Sequence, residues 1–443
     1  MFDVLKNRTY RHLFLAQIVA LVGTGLATVA LGLLAFELAG KDAGAVLGTA
    51  LAIKMVAYVL VAPIAGAYAN RVPRRALLVA LDIGRLAVVL MLPMVNQIWQ
   101  IYLLIFVLQS CSAAFTPTFQ ATIPEVLPDE AQYTRALSLS RLAYDLENLL
   151  SPALVAALLL VISYHGLFLG TAVGFLGSAL LVVSVALPYT RATEAPTSIA
   201  RKITHGMRIY LATPRLRGLL SLTLAAAAGS AMVIVNTVVI VRSVLAHPDS
   251  SVAIALAAFG SGSMLMAFCL PRLLDRRAER SVMLVAGASM ALVLMLLAGL
   301  WPRLSTAQQW PALLAGWLVL GTAYSALVTP GGRLLRRSST ERDRPALFAA
   351  QFSLSHACWL VAYPLVGWLG AKAGVSTALW AMAGLAVLGT LLAKALWPED
   401  SATLVHSHDG LPADHPHLAQ HAGADGHAHA YVIDDLHTRW PTR

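Results

Sequence analysis

GAYANRVPRRALLV at residues 66–79 and PRLLDRRAERSVML at residues 271–284 decide how this chain is read. Each sets a cluster of arginines between two long apolar stretches, and the copies start about 205 residues apart. Two further pairs repeat at a similar offset: RTYRHLFLAQ (8–17) with PRLRGLLSLT (214–223), and DEAQYTRALSLSRL (129–142) with ERDRPALFAAQFSL (341–354). Self-similarity at a long, fixed period marks a duplicated unit. The chain is therefore expected to hold two halves, 1–190 and 216–398, joined by a polar linker at 191–215 and followed by a tail at 399–443.

The composition says what surrounds each half. Hydrophobic residues make up 58% of the 443-residue chain and charged residues only 12%, against about a quarter in soluble domains. Such a chain cannot cover itself with polar surface, so its solvent is lipid. The apolar residues fall into twelve stretches, roughly 11–39, 43–69, 74–94, 98–124, 134–163, 165–189, 216–243, 251–272, 280–301, 309–337, 344–371 and 374–397. Each is long enough to cross a hydrocarbon core of about 30 Å as a helix. Helix is the expected form, because lipid cannot satisfy an open backbone. Pro63, Pro152 and Pro364 are tolerable kinks in such helices. The N-terminus does not read as a signal peptide, since its apolar run is too long and no small-residue cleavage site follows.

The formal charge of +10 is a topology signal. Lys6, Arg8 and Arg11, then Arg71, Arg74 and Arg75, then Arg191 to Arg217, Arg272 to Arg280 and Arg333 to Arg344 occupy alternate loops. The intervening loops hold little more than Lys41, Arg242, Arg303 and Lys372. The positive-inside rule is expected to put both termini of this inner-membrane chain in the cytoplasm. No basic face with interleaved aromatics is present for nucleic acid, and no Walker loop for ATP. Cys111, Cys269 and Cys358 are scattered through apolar stretches and form no metal or disulfide framework.

The loop Gly66-Ala-Tyr-Ala-Asn70-Arg71-Val-Pro73-Arg74-Arg75 resembles the G-x-x-x-D-R-x-G-R-R signature of the major facilitator superfamily. Asn70 stands where that family has Asp, and Pro73 where it has Gly; the second copy keeps the acid as Asp275-Arg276. The resemblance implies an all-α membrane fold of twelve helices and a loop that latches one gate by charge pairing. The antiporter motif of the fifth segment is poorly matched: Ser151-Pro152 is present without the glycines. Within the superfamily, TRALSLSRLAYDLENLLSP (134–152) and a histidine-rich C-terminus resemble the bacterial nickel-resistance exporters of the drug-efflux-like branch. That resemblance implies proton-coupled export of a divalent metal, nickel first and cobalt second, with no permanently bound cofactor.

The tail holds His406, His408, His415, His417, His421, His427, His429 and His437, most of the chain's 13 histidines. Three pairs read His-x-His, which in an extended chain places two imidazoles on one side, about 7 Å apart. Neutral imidazole suits nickel, copper and zinc. The tail is expected to lack a fixed fold and to buffer or sense metal; the plainer reading is a solvated tail with no ligand.

Charges at membrane depth are functional candidates by default. Arg141, Asp145 and Asn148 share a helical face in the fifth segment, and Glu147 lies round the helix from it. Asp145, Glu147 and His356 are the candidates for proton or metal coupling, with Arg141 holding Asp145 ionised and Lys54 a further charge able to pair with the eleventh segment. A neutralised packing pair explains Arg141 and Asp145 as well, and a hydrogen-bonded core role explains His356. Asp82 and Arg85 read as an i,i+3 structural pair. Thr28, Gln109, Asn236 and Thr329 are cavity-lining candidates, or simply helix-to-helix hydrogen-bonders. The rival functions are an exporter of organic compounds with an accessory metal tail, and a membrane metal sensor that does not transport. The partners expected are the bilayer, protons and a small ion or solute.

Overall fold

A computed structural model gives the fold. It describes residues 2–68, 72–129, 132–133, 135–136, 139–140, 143, 151, 154–155, 157–187, 199–340, 343–399, 404–405, 422–423, 426–429, 431–433, 437 and 440. The chain is a helical bundle: α1 (Arg8–Ala39), α2 (Ala43–Tyr68), α3 (Arg74–Met91), α4 (Ile98–Val126), α5 (Tyr164–Val183), α6 (Ile199–Ala212), α7 (Pro214–Val239), α8 (Asp249–Leu274), α9 (Glu279–Leu300), α10 (Thr306–Val328), α11 (Gly331–Arg337) and α12 (Arg344–Leu396). Among the described residues, nine apolar spans are long enough to cross a membrane. Two of these, 8–61 and 346–396, contain two apolar stretches each.

Local chemistry sets the ends. The Asn7 side chain accepts from the Tyr10 amide at 3.0 Å and caps α1. Gly40, at φ +52°, ends that helix in a conformation few side chains adopt. Gly374, at φ +84°, breaks α12 into the eleventh and twelfth stretches foreseen from the sequence. Ser305 and Gln308 form a capping box at the start of α10.

Two of the expected stretches need correction, and the linker holds a helix of its own. The stretch 309–337 is not one helix: Pro330 has no N–H to continue the ladder, and α10 and α11 lie on either side of it. The linker contains α6, which packs on α12: the Tyr210 hydroxyl hydrogen bonds to Gln351, and His205 Nε2 lies 2.9 Å from Asp343. The stretch 134–163 stops being helical at Leu158, with a turn at 159–161 before α5; most of the rest of it lies outside the described residues.

Helices α1 to α5 pack among themselves, α1 on α5, α2 on α4, and α3 on both α4 and α5. Helices α7 to α12 do the same, with α12 on α7 and α9, and α8 on α10. The two groups meet where α2 runs antiparallel to α12, and α1 and α2 touch α7. Polar ends aside, much of the outer face is apolar, with Leu160, Val173, Phe268, Val285 and Leu391 all exposed. That is the surface a lipid-solvated bundle presents.

In the tail, β1 (Leu404–Val405), β3 (Gly426–His429) and β2 (Ala422–Gly423) form a small antiparallel sheet in that order. A sheet this small is marginal by itself. Further on, Tyr431, Ile433 and His437 are buried. The Arg215 guanidinium at the start of α7 donates to Ser338 Oγ (2.7 Å), Arg337 O (3.0 Å) and Tyr431 O (2.8 Å), and lies 5.4 Å from the Trp440 ring.

Candidate functional site

Between α1, α2, α4 and α5 lies a partly open cleft, with about 520 Å³ of empty space counting the solvent at its mouth. Its polar lining is Thr24 and Thr28 from α1, Lys54 from α2, and Gln109 and Ser112 from α4, set among leucines and Phe175. Thr24, Thr28 and Ser112 each donate their hydroxyl hydrogen to a carbonyl one turn back (2.9, 3.0 and 3.1 Å), which leaves the oxygen lone pairs as acceptors. The cleft thus offers acceptors, one carboxamide and one ammonium.

Lys54 also links the cleft to the other half. Its Nζ lies 5.9 Å from the Tyr58 ring, and Tyr58 stacks on His356 of α12 at 5.4 Å and 6°. His356 Nδ1 contacts the Phe352 carbonyl at 2.6 Å, which assigns the hydrogen to Nδ1 and leaves Nε2 as the acceptor. Lys54 and His356, far apart in the chain, therefore flank one ring.

The halves close on each other at the end remote from the N-terminus. A Cβ on Gly367 would stand 2.2 Å from the Gly44 carbonyl oxygen, and one on Gly48 2.5 Å from that of Tyr363. Small residues let helix backbones approach this closely in lipid. Asn236 of α7 is fully buried in this seam, its Oδ1 against Gly44 and Gly370 and without a hydrogen-bond partner among the described residues.

Of the sequence candidates, Thr28, Gln109 and Lys54 line the cleft together, Asn236 is in the seam, and Thr329 is exposed at the end of α10, apart from both. Arg141, Asp145 and Glu147 lie outside the described residues, as do Asn70 and Arg71. Gly66 is within α2. Arg74 pairs with Glu125 at the far end of α4 (2.8 Å), and Arg75 donates to the Val183 carbonyl. Glu125 was not singled out by sequence, because its partner lies some fifty positions away with no motif joining them. In the second copy, Asp275 and Arg276 are exposed, while Glu279, four residues on, is buried and reaches Arg333 (2.9 Å) and Arg337 (3.1 Å).

Of the tail histidines, His406, His408, His415, His417 and His421 are outside the described residues. His427 and His429 lie two apart on β3, described in backbone only, and His437 packs edge-on against Tyr431 at 4.7 Å. Among the described residues no group of three or more His, Cys, Asp or Glu could hold a metal ion.

The sequence profile of the Major Facilitator Superfamily matches residues 13–303 and 219–412. The chain belongs to the Major Facilitator Superfamily. A stretch of 125 residues is 31% identical to the uncharacterized MFS-type transporter YfiS of Bacillus subtilis (strain 168), covering 28% of this chain and 30% of that relative's length. The fold is similar to the nucleoside transporter NupG in its D323A mutant form, with a TM-score of 0.70 at 14% identity over 88% of this chain and 100% of the other. It is also similar to a D-xylose–proton symporter, at 0.65 and 14% over 90% and 98%. As a member of this superfamily the chain is a multi-pass membrane transporter and not an enzyme.

Proposed function

We propose that the chain is a proton-coupled exporter that moves a small organic solute across a bacterial inner membrane by alternating access, with both termini in the cytoplasm. The two units 1–190 and 216–398 rock about the seam where α2 meets α12, so that the chain opens alternately to either side and the cleft beside that seam meets each side in turn. The lining of the cleft carries the reading: hydroxyl acceptors, a carboxamide and the Lys54 ammonium among apolar walls. A few hydrogen-bonding groups set among apolar walls suit a small organic solute.

Nickel export, with cobalt second, is the second reading, supported by the histidine-rich tail and its three His-x-His pairs. Asp145, Glu147 and His356 would then serve coupling or ligation, and the tail would supply metal at the entrance. Metal content and tolerance in a sensitive bacterium, with and without the chain, separate the two. Unchanged nickel, cobalt, zinc and copper content supports the organic solute. Lower cell nickel with higher nickel tolerance overturns it in favour of the metal.

A further inference from the structure

One ionic group in the bundle plays no part in the cleft or the seam. Asp82 and Arg85 of α3 are buried, at 0% and 4% exposure, and form an ion pair through Asp82 Oδ1. The other carboxylate oxygen accepts from Ser178 Oγ of α5 at 2.7 Å. The guanidinium is held between two rings, with centroids 4.2 Å away at Phe115 of α4 and 4.6 Å away at Phe175 of α5. Its Nε has no hydrogen-bond partner among the described residues. Phe175 is also a wall of the cleft, so one ring separates the pair from the place where solute would sit.

A pair serving only to hold helices together is a poor use of two charges in lipid, since an apolar pair of similar volume is often as stable. The two groups also differ in what they can do. Arg85 stays charged, whereas a carboxylate can be neutralised. Protonated Asp82 leaves a full positive charge between two rings, with one donor already unpartnered. Past Phe175 the cleft offers polar groups that can take up that charge.

We propose that Asp82 is a proton-coupling carboxylate: a proton taken up from one side of the membrane onto Asp82 frees Arg85 toward the cleft, and its release to the other side restores the pair and the Phe175 wall. This rests on the proton-coupled reading above. The surroundings of Asp82 are simple. On α4 the nearby titratable group is Cys111, whose sulfur would be 3.2 Å from a Cβ on Gly84. Glu125 is engaged by Arg74, and Tyr102 is near the opposite end of α4. On α5 the only ionisable residues are Tyr164 and His165, at its first turn. Arg74 and Arg75 begin α3 itself.

The test needs no knowledge of the solute. Spin labels at Lys41→Cys and Lys372→Cys, both exposed at the seam end, report opening by double electron–electron resonance. The background lacks Cys111, Cys269 and Cys358, and the pH runs from about 3.5 to about 9, across the ordinary carboxylate and histidine ranges. The distance distribution of the parent is expected to shift with pH. Asp82→Asn, which keeps the shape and cannot take up the proton, abolishes the shift; Asp82→Glu retains it. Ser178→Ala removes a hydrogen bond to the ionised form and moves the midpoint up by about one pH unit. A parent that does not respond to pH overturns the proton-coupled reading and this proposal with it. A parent that responds, with Asp82→Asn responding identically, overturns this proposal alone. If Asp82→Asn does not fold, Ser178→Ala decides, and an unmoved midpoint overturns the proposal.

Discussion

Gly48 of α2 and Tyr363 of α12 are in backbone contact across the two halves: a methyl group on the Gly48 Cα would stand 2.5 Å from the Tyr363 carbonyl oxygen. The obstacle is backbone, which has no rotamer to yield. Gly48→Ala should therefore force the seam apart, at about 1–3 kcal/mol for an overpacked contact. Purified Gly48→Ala is expected to melt below the parent and to show a longer Lys41–Lys372 label distance. Gly384→Ala is the control, because its Cβ meets nothing within 4 Å; there the helix gains up to about 1 kcal/mol. Equal melting of the parent and Gly48→Ala would mean that the seam tolerates a methyl group.

Asn236 biases the same seam in the opposite direction. Its Oδ1 is orphaned when the halves are shut, at a cost of about 1–3 kcal/mol, and opening the seam would let water reach it. Asn236→Ala removes that cost from the closed state alone. The label-distance distribution should shift toward the short, closed population, and turnover should fall. A shift toward the open population would show that the weak Asn236 Nδ2 contact with the Val366 carbonyl (3.4 Å) matters more than the orphaned oxygen.

Arg215 fastens the end of the chain to the second half by donating at once to Ser338, Arg337 and Tyr431. A lysine ammonium cannot reproduce that fork. Arg215→Lys should therefore behave like Arg215→Met, with faster proteolytic cleavage around Tyr431 in both. Lysine giving parent-like protection would mean that charge alone holds the segment.

Lys54 places a positive charge on the cleft wall. Lys54→Gln should weaken binding of a carboxylate-bearing solute by about tenfold or more, equivalent to about 1.4 kcal/mol, and leave a neutral analogue nearly unaffected. Equal losses for both would point to a structural role at Tyr58 and His356.

Removing residues 399–443 tests the tail independently of transport. Nickel binding by the purified protein, measured by calorimetry, should fall to the level of the remaining bundle. Unchanged affinity would remove the tail from any role in metal binding.

The bundle was legible in the sequence because lipid imposes one rule on every stretch: twenty apolar residues must close their own backbone bonds. Stretch lengths follow from that rule, the alternation of arginine clusters from the positive-inside rule, and the repeat at 66–79 and 271–284 from a duplicated unit. The i,i+3 pairing of Asp82 with Arg85 was legible too, since one helix fixes it. What tertiary structure alone decided is which distant groups meet. Glu125 reaches Arg74, Ser178 reaches Asp82, Tyr58 stacks on His356 and Gly48 abuts Tyr363. Each of these depends on the rotation and depth of one helix against another, set by the fit of small and large side chains between helices. That fit is a property of pairs of surfaces, and a single helix sequence, uniformly apolar around its circumference, does not specify which of its faces will find a partner.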